Sequence, residues 1–308
     1  MALPSISICI LNYNYGRYLA HAIDSALDQR PGDYLLKEVL VIDDGSTDES
    51  LEVCERYGGK ITVLRRPHEG FGAVLSSALR AARGQWIAPL DADDSFTTDK
   101  LAAIAPALTD DRFLVQHWEH VVDANERPLL TKPHPGGNTS TLLVRREPAL
   151  DLLPVSNEAF FHVFDYLGYG AKVTEPLTYY RVHDANMTDR ANPGVFQDYL
   201  QGVNLEIATR LRELGRAAPP WADHRTLRRL SWHFTALAWG NARESAVQRG
   251  QRGVALAALS SEVRAALMAR RAAHTHWLGA KSAARMRPTV VVGRPPLRVE
   301  SVNSSSAP

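Results

Sequence analysis

Across the first hundred residues the apolar positions alternate between two periods. Residues 6–11, ISICIL, form a short β-rich apolar run, and RYLAHAIDSALDQ then places Leu19, Ala22, Ile23, Ala26 and Leu27 at the i, i+3, i+4 spacing of an amphipathic helix. EVLVIDD reads as a second buried strand. STDESLEVCERYGG reads as a helix opened by a capping box from Ser46 to Glu49 and closed at Gly58. ITVL is a third strand, GAVLSSALRAARG a helix ended by Gly84, and QWIAPL a fourth strand. This β-α-β-α-β-α-β order predicts a mainly parallel sheet with helices on both faces. TTDKLAAIAPAL predicts a further helix, with Asp94 or Ser95 as its cap. Beyond Arg190 the pattern becomes helical in three stretches, and Trp232, Phe234, Leu237 and Trp239 mark a buried segment there. After Met286 the chain is rich in Pro, Arg and Ser and reads as a flexible tail.

In sheets of this kind ligands bind at the carboxyl ends of the strands. Three polar clusters fall at those ends: NYNYGRY after the first strand, DDGSTD after the second, DADD after the fourth. They should converge. Asp43 and Asp44 can also be read as turn and capping residues, and DADD as an acidic turn before a helix. Asp91 and Asp93, however, lie at i, i+2 on an extended segment and project toward one place, where hard oxygen donors suit Mg²⁺ or Mn²⁺.

Composition narrows the classes. The 308 residues carry 35 basic and 34 acidic side chains, a net charge of +1, which argues against a general nucleic-acid binder. No apolar run approaches the roughly 18 residues of a membrane span, and MALPSISICI lacks a secretory signal, so the expectation is a cytoplasmic protein, at most peripheral to a membrane. Cys9 and Cys54 fit neither a disulfide framework nor a zinc cluster. The N-x-S/T triplets at Asn138, Asn186 and Asn303 carry no meaning as glycosylation sites in such a protein.

NYNYGRYLAHAIDSALDQ, VLVIDDGSTDES, HEGFGAVLSSALRAARGQWIAPLDADD and EPLTYYRVHDANMT together resemble the family 2 glycosyltransferases of the GT-A fold, over roughly residues 5–190. The resemblance implies a mixed, mainly parallel α/β sheet flanked by helices. A nucleotide-sugar-binding half would occupy residues 1–100 and an acceptor-binding half 101–190. A helical subdomain would occupy 191–285 and the tail 286–308. It implies an inverting transferase that moves a sugar from a nucleotide diphosphate to an acceptor hydroxyl. UDP is the first-choice carrier, with dTDP and GDP as alternatives, and the acceptor is a glycan, a lipid-linked molecule or a small natural product.

By the same resemblance Asp93 binds Mn²⁺ or Mg²⁺, Asp91 contacts the metal or the donor ribose, and His183 reaches the metal or the diphosphate. Asp94 is a structural or helix-start residue. Asp44 hydrogen-bonds the nucleotide base, Tyr13 stacks on it, and Asn12, Asn14 and Asp43 shape the pocket with Leu11, Gly70 and Ala92. Arg181 would neutralise phosphate. The general base falls on Glu158, with Asp165, seven residues on and on nearly the same helical face, as the competing carboxylate. A bland alternative has Glu158 only complementing a helix N-terminus. His68, Leu75 and Ser76 stand where the family carries Asn, Arg and Asn, a departure that also leaves open an inactive nucleotide-sugar-binding or scaffolding protein. The C-terminal helices are read as a packed subdomain, with a dimer interface or a membrane-surface contact as alternatives.

Overall fold

The computed structural model describes residues 2–184, 193–274 and 290–292. The first half builds β1 (Ser5–Asn12), α1 (Gly16–Leu27), β2 (Leu35–Asp43), α2 (Ser50–Glu55), β3 (Thr62–Arg65), α3 (Phe71–Ala81), β4 (Trp86–Asp91), β5 (Ser95–Phe96) and α4 (Lys100–Ile104). There follow β6 (Leu114–Asp123), β7 (Leu142–Arg145), α5 (Arg146–Asp151), α6 (His162–Tyr166) and the long β8 (Gly170–Val182). Three helices complete the body, α7 (Pro193–Ala217), α8 (His224–Gln248) and α9 (Arg252–His274), and β9 (Val290–Val292) adds a short strand.

The described strands form one sheet in the order β3-β2-β1-β4-β7-β6-β8-β5, with β9 paired to β8 outside that path. β1 lies parallel to both β2 and β4, and β2 parallel to β3; β7 runs antiparallel to β4 and β6. β8 returns parallel to β6. The sheet is therefore mixed and mainly parallel, as the residue pattern predicts.

Strand alternation divides the core in two. On one face Ile6, Ile8 and Ile10 of β1 meet Leu19, Ala22, Ile23 and Ala26 of α1. On the other Cys9 and Leu11 meet Val74, Leu75, Ala78 and Leu79 of α3. This is the period-2 geometry of a strand buried on both sides. The second cluster does not stop at the sheet: Phe160, Phe161 and Phe164 carry it into Val203, Ile207, Leu211 and Leu214 of α7 and into Leu227, Leu230 and Phe234 of α8.

Several local expectations are corrected. Ser46 does not cap α2, which starts at Ser50; Asp48 accepts from the backbone N–H and hydroxyl of Ser50 instead, and the Ser46 hydroxyl faces the loop after β1. Gly84 does not end α3, whose C-cap is Ala82; a Cβ on Gly84 would stand 2.5 Å from the Ser7 nitrogen, so the residue is required by close approach to β1. Neither Asp94 nor Ser95 caps α4, because the short strand β5 intervenes and Asp99 takes the cap position. In α8 Phe234 is buried, but Leu237 is 36% exposed and the two tryptophans are only half-buried, because one face of α8 looks outward. Of the segment read as a tail, Val290–Val292 pairs in parallel with β8; the rest lies outside the described residues, as do the triplets at Asn186 and Asn303. No described helix is long and apolar enough to cross a membrane.

Candidate active site

The carboxyl ends of β1, β2 and β4 converge because the three strands are adjacent and parallel. Asn12, at the end of β1, is buried; its amide donates to the Asp43 carboxylate at 2.9 Å and to the Ser46 hydroxyl at 3.1 Å. Asn14 adopts a left-handed backbone, φ 57°, and its side-chain oxygen accepts from the Thr47 N–H at 2.8 Å. Asp43 also accepts from the Ser46 N–H. These residues knit the loop after β1 to the loop after β2. On the other side Leu11 receives the Ala92 N–H at 3.1 Å, which ties β1 to the acidic turn.

Asp44 is buried and gathers the loop that precedes α3: its two carboxylate oxygens accept from the N–H groups of Glu69, at 3.1 Å, and Gly70, at 2.9 Å. Gly70, with φ 89°, turns the chain into α3. His68 reaches the same carboxylate through Nδ1 at 2.8 Å and lies flat on the Tyr13 ring, centroids 3.9 Å apart and planes inclined by 16°. Tyr13, Asp44 and Gly70 are thus one small site.

The acidic turn forms the second. Burial, followed by Asp94, Asp93 and Glu158, holds the Asp91 carboxyl well above the usual range. Asp94 is raised by burial first and Asp93 second; it accepts the Arg181 backbone N–H at 2.9 Å. His183 Nε2 lies 3.0 Å from an Asp93 oxygen, its ring enclosed by Tyr15 and Tyr18. Carboxyl groups this close in a dry setting need a proton or a cation between them.

Of the residues singled out from sequence, Arg181 is placed differently from expectation, whereas Asp165 lies toward Gly170 as its sequence position implies. Arg181 is buried, and its guanidinium donates to the Asp93 carbonyl, the Ala124 carbonyl and Glu126, which also contacts His21. It braces the turn from behind. Asp165 packs against Gly170 and faces Lys172 at 3.9 Å, at the start of β8, whereas Arg181 lies near that strand's end. Glu158 opens the short 3-10 turn Glu158–Phe161, after Asn157 whose side chain accepts from the Ala159 N–H. Its carboxyl is close enough to Asp91 to raise it, and burial pushes Glu158 itself up to about 7.

Other contributors carry no motif of their own. The Ser140 hydroxyl accepts from the Asp91 N–H at 3.0 Å, and Ser140 also bonds the Asp94 side chain, while Thr139 bonds Asp91. This turn belongs to the N-T-S triplet at Asn138 and supports both acids. Beneath it the fully buried Lys100 donates to the Ser140 carbonyl at 2.8 Å, and burial drives that amine well below its ordinary range. The Asn157 side-chain amide donates to the Tyr199 hydroxyl of α7 at 2.5 Å.

The expected metal ligands Asp91, Asp93 and His183 do not form a ready-made three-residue cluster; none exists among the described residues. The donor set still fits a hard divalent ion, because Mg²⁺ and its like are held by one or two carboxylates plus substrate phosphates rather than by an all-protein cage. Burial and neighbouring carboxylates raise both Asp91 and Asp94, an arrangement that a cation would relieve.

The family model for Glycosyl transferase family 2 matches residues 7–160. An uncharacterized glycosyltransferase of Nostoc sp. is 32% identical over 214 residues, 59% of this chain and 66% of that protein. Chondroitin synthase of Pasteurella multocida is 36% identical over 100 residues, which is 32% of this chain but only 10% of the synthase. Among solved structures, residues 1–349 of S. aureus TarS in complex with UDP-GlcNAc superimpose with a TM-score of 0.57 and 18% identity, covering 85% of this chain and 81% of that one. That likeness is one of fold.

Proposed function

This chain belongs to glycosyl transferase family 2, and on that premise we propose that it transfers a sugar, with inversion, from a nucleotide-diphosphate sugar to an acceptor hydroxyl. UDP is the proposed carrier, as in the bound form of the TarS structure. The observation that carries the reading is the position of Glu158: a half-buried residue whose carboxyl is pushed up to about 7 by desolvation and lies close enough to Asp91 to raise it. A general base works best when its pKa lies near the working pH.

In this mechanism Tyr13 and Asp44 hold the nucleotide base, and Asp93 with Asp91 and His183 would hold a divalent ion. When bound, the ion neutralises charge on the departing diphosphate. Glu158 takes the proton of the acceptor hydroxyl as that oxygen bonds to the anomeric carbon. The bond from that carbon to the diphosphate oxygen breaks and the nucleoside diphosphate leaves. Arg181 acts through the Asp93 backbone as a positioning residue, not as a phosphate ligand. One carboxylate assigned as base, with the other acids of the turn assigned to the metal and to the fold, supports inversion. Release of UDP should therefore appear with one of a panel of UDP-sugars in the presence of Mn²⁺ or Mg²⁺, and be lost in excess EDTA. Equal turnover with and without chelator would overturn the metal assignment, and release from GDP- or dTDP-sugars alone would reassign the carrier.

A further inference from the structure

We propose that His68 is an internal stand-in for the nucleotide base: it closes the base slot of the free protein, and must leave for a nucleotide to bind. The proposal rests on the reading of Tyr13 and Asp44 as that slot. Its own evidence is geometric. A flat heteroaromatic ring already lies on Tyr13, with centroids 3.9 Å apart and planes 16° from parallel, which leaves no room for a second ring between them. The same imidazole presents Nδ1 to Asp44 Oδ2 at 2.8 Å; since a carboxylate only accepts, that nitrogen donates.

The competition follows from counting acceptor sites. Asp44 Oδ1 already accepts from the Glu69 N–H, and Oδ2 from the Gly70 N–H as well as from His68. Oδ2 has two lone pairs and both are engaged. A pyrimidine presenting a ring N–H to this oxygen and a π-face to Tyr13 would make the two interactions that His68 now makes. The ring and the base are alternatives at one place.

The surroundings allow the exchange. The backbone of the loop is fixed, because Asp44 holds residues 69 and 70 and because Gly45, with φ 78°, lets the loop lie against β2: a Cβ there would stand 3.0 Å from both the Arg66 oxygen and the His68 nitrogen. The side chains are not enclosed. That of His68 is 52% exposed and Tyr13 is 40% exposed, so rotation about the His68 side-chain bonds opens the slot without moving the main chain. An arrangement of fixed loop and free ring makes His68 a determinant of nucleotide affinity and of which bases can displace it.

Calorimetry of UDP with Mg²⁺ on the full chain tests this. His68→Ala removes the competitor and should tighten UDP about 3- to 10-fold, the equivalent of one stacking contact. Melting temperature confirms that the variant is folded, and His68→Asn, which keeps a donor but loses the ring, should also tighten UDP. In the wild-type protein, saturating UDP should shift the His68 ring NMR signals as they leave the face of Tyr13. Unchanged or weaker affinity in both variants overturns the proposal, as does UDP binding that leaves the His68 signals in place. Absence of nucleotide binding in wild type and variants alike overturns the base site itself, and the His68 assignment with it.

Discussion

Glu158 and Asp165 carry the same chemical group and differ in surroundings, which is what decides between them. Burial pushes Glu158 up to about 7, while Asp165 faces Lys172 at the far end of β8. If Glu158 is the base, kcat/KM should rise with pH around a midpoint near 7, and Glu158→Gln should remove that limb and lower turnover about 10²- to 10⁴-fold. Asp165→Asn should leave the profile intact. Stability runs the other way. A carboxyl raised from 4.5 to about 7 binds more protons in the folded state between those values, so its contribution is present below pH 4.5 and is lost as pH rises through 7. The melting temperature of the wild type should therefore fall relative to Glu158→Gln across that window; a constant difference would show that the burial of Glu158 is not felt. At this scale the sequence was partly legible. D-x-D and the tandem Asp43 and Asp44 are local patterns, whereas Glu158 was reached only through the family resemblance. The acceptors of the Arg181 guanidinium were not legible, because burial and the partners Ala124 and Glu126 are set by tertiary structure, and His68 was visible only as a departure from the family pattern.

At the scale of elements, β1, α1, β2, α3 and β4 follow from hydrophobic period, because each buries apolar residues at a clear spacing, while β3 is an exposed edge strand read from its β-rich composition. Their ends were harder to read. Ser46, Gly84 and Asp94 all had the residue type for a cap and were drawn instead into contacts with other strands and loops, which outweigh a cap's roughly 1 kcal/mol. The support of the acidic turn was hidden for a similar reason: Thr139 and Ser140 are nearly fifty residues away in sequence. Ser140→Ala deletes the acceptor for the Asp91 N–H and the partner of Asp94. It should cost about 1–3 kcal/mol of stability and weaken metal-dependent nucleotide binding more than it weakens binding without metal. Calorimetry in Mg²⁺ and in EDTA checks this, and equal losses in both would show that the turn does not support the metal ligands.

Over the whole molecule the apolar cluster that begins under α3 and continues through Phe161 and Phe164 into α7 and α8 makes the helices part of the same core as the sheet. The periodicity of residues 191–285 predicted helices but not this continuity, since contacts between distant segments leave no local pattern. Leu211→Ala, at a position 1% exposed, should cost about 2–5 kcal/mol and lower the midpoint of helix and sheet signals together. Separate transitions for far-ultraviolet ellipticity and tryptophan fluorescence would instead indicate two independent units.

The two thiols, one in the middle of β1 and one in α2, offer a clock for these motions. Cys9 is wholly buried and Cys54 nearly so, and burial raises both thiols, Cys54 to about 11. A thiol-reactive dye can then reach each one only when its own element opens. Cys54 sits in a six-residue helix at the rim, and Cys9 in a strand flanked by β2 and β4. Their labelling rates would separate local opening of α2 from unfolding of the entire sheet, with no residue changed.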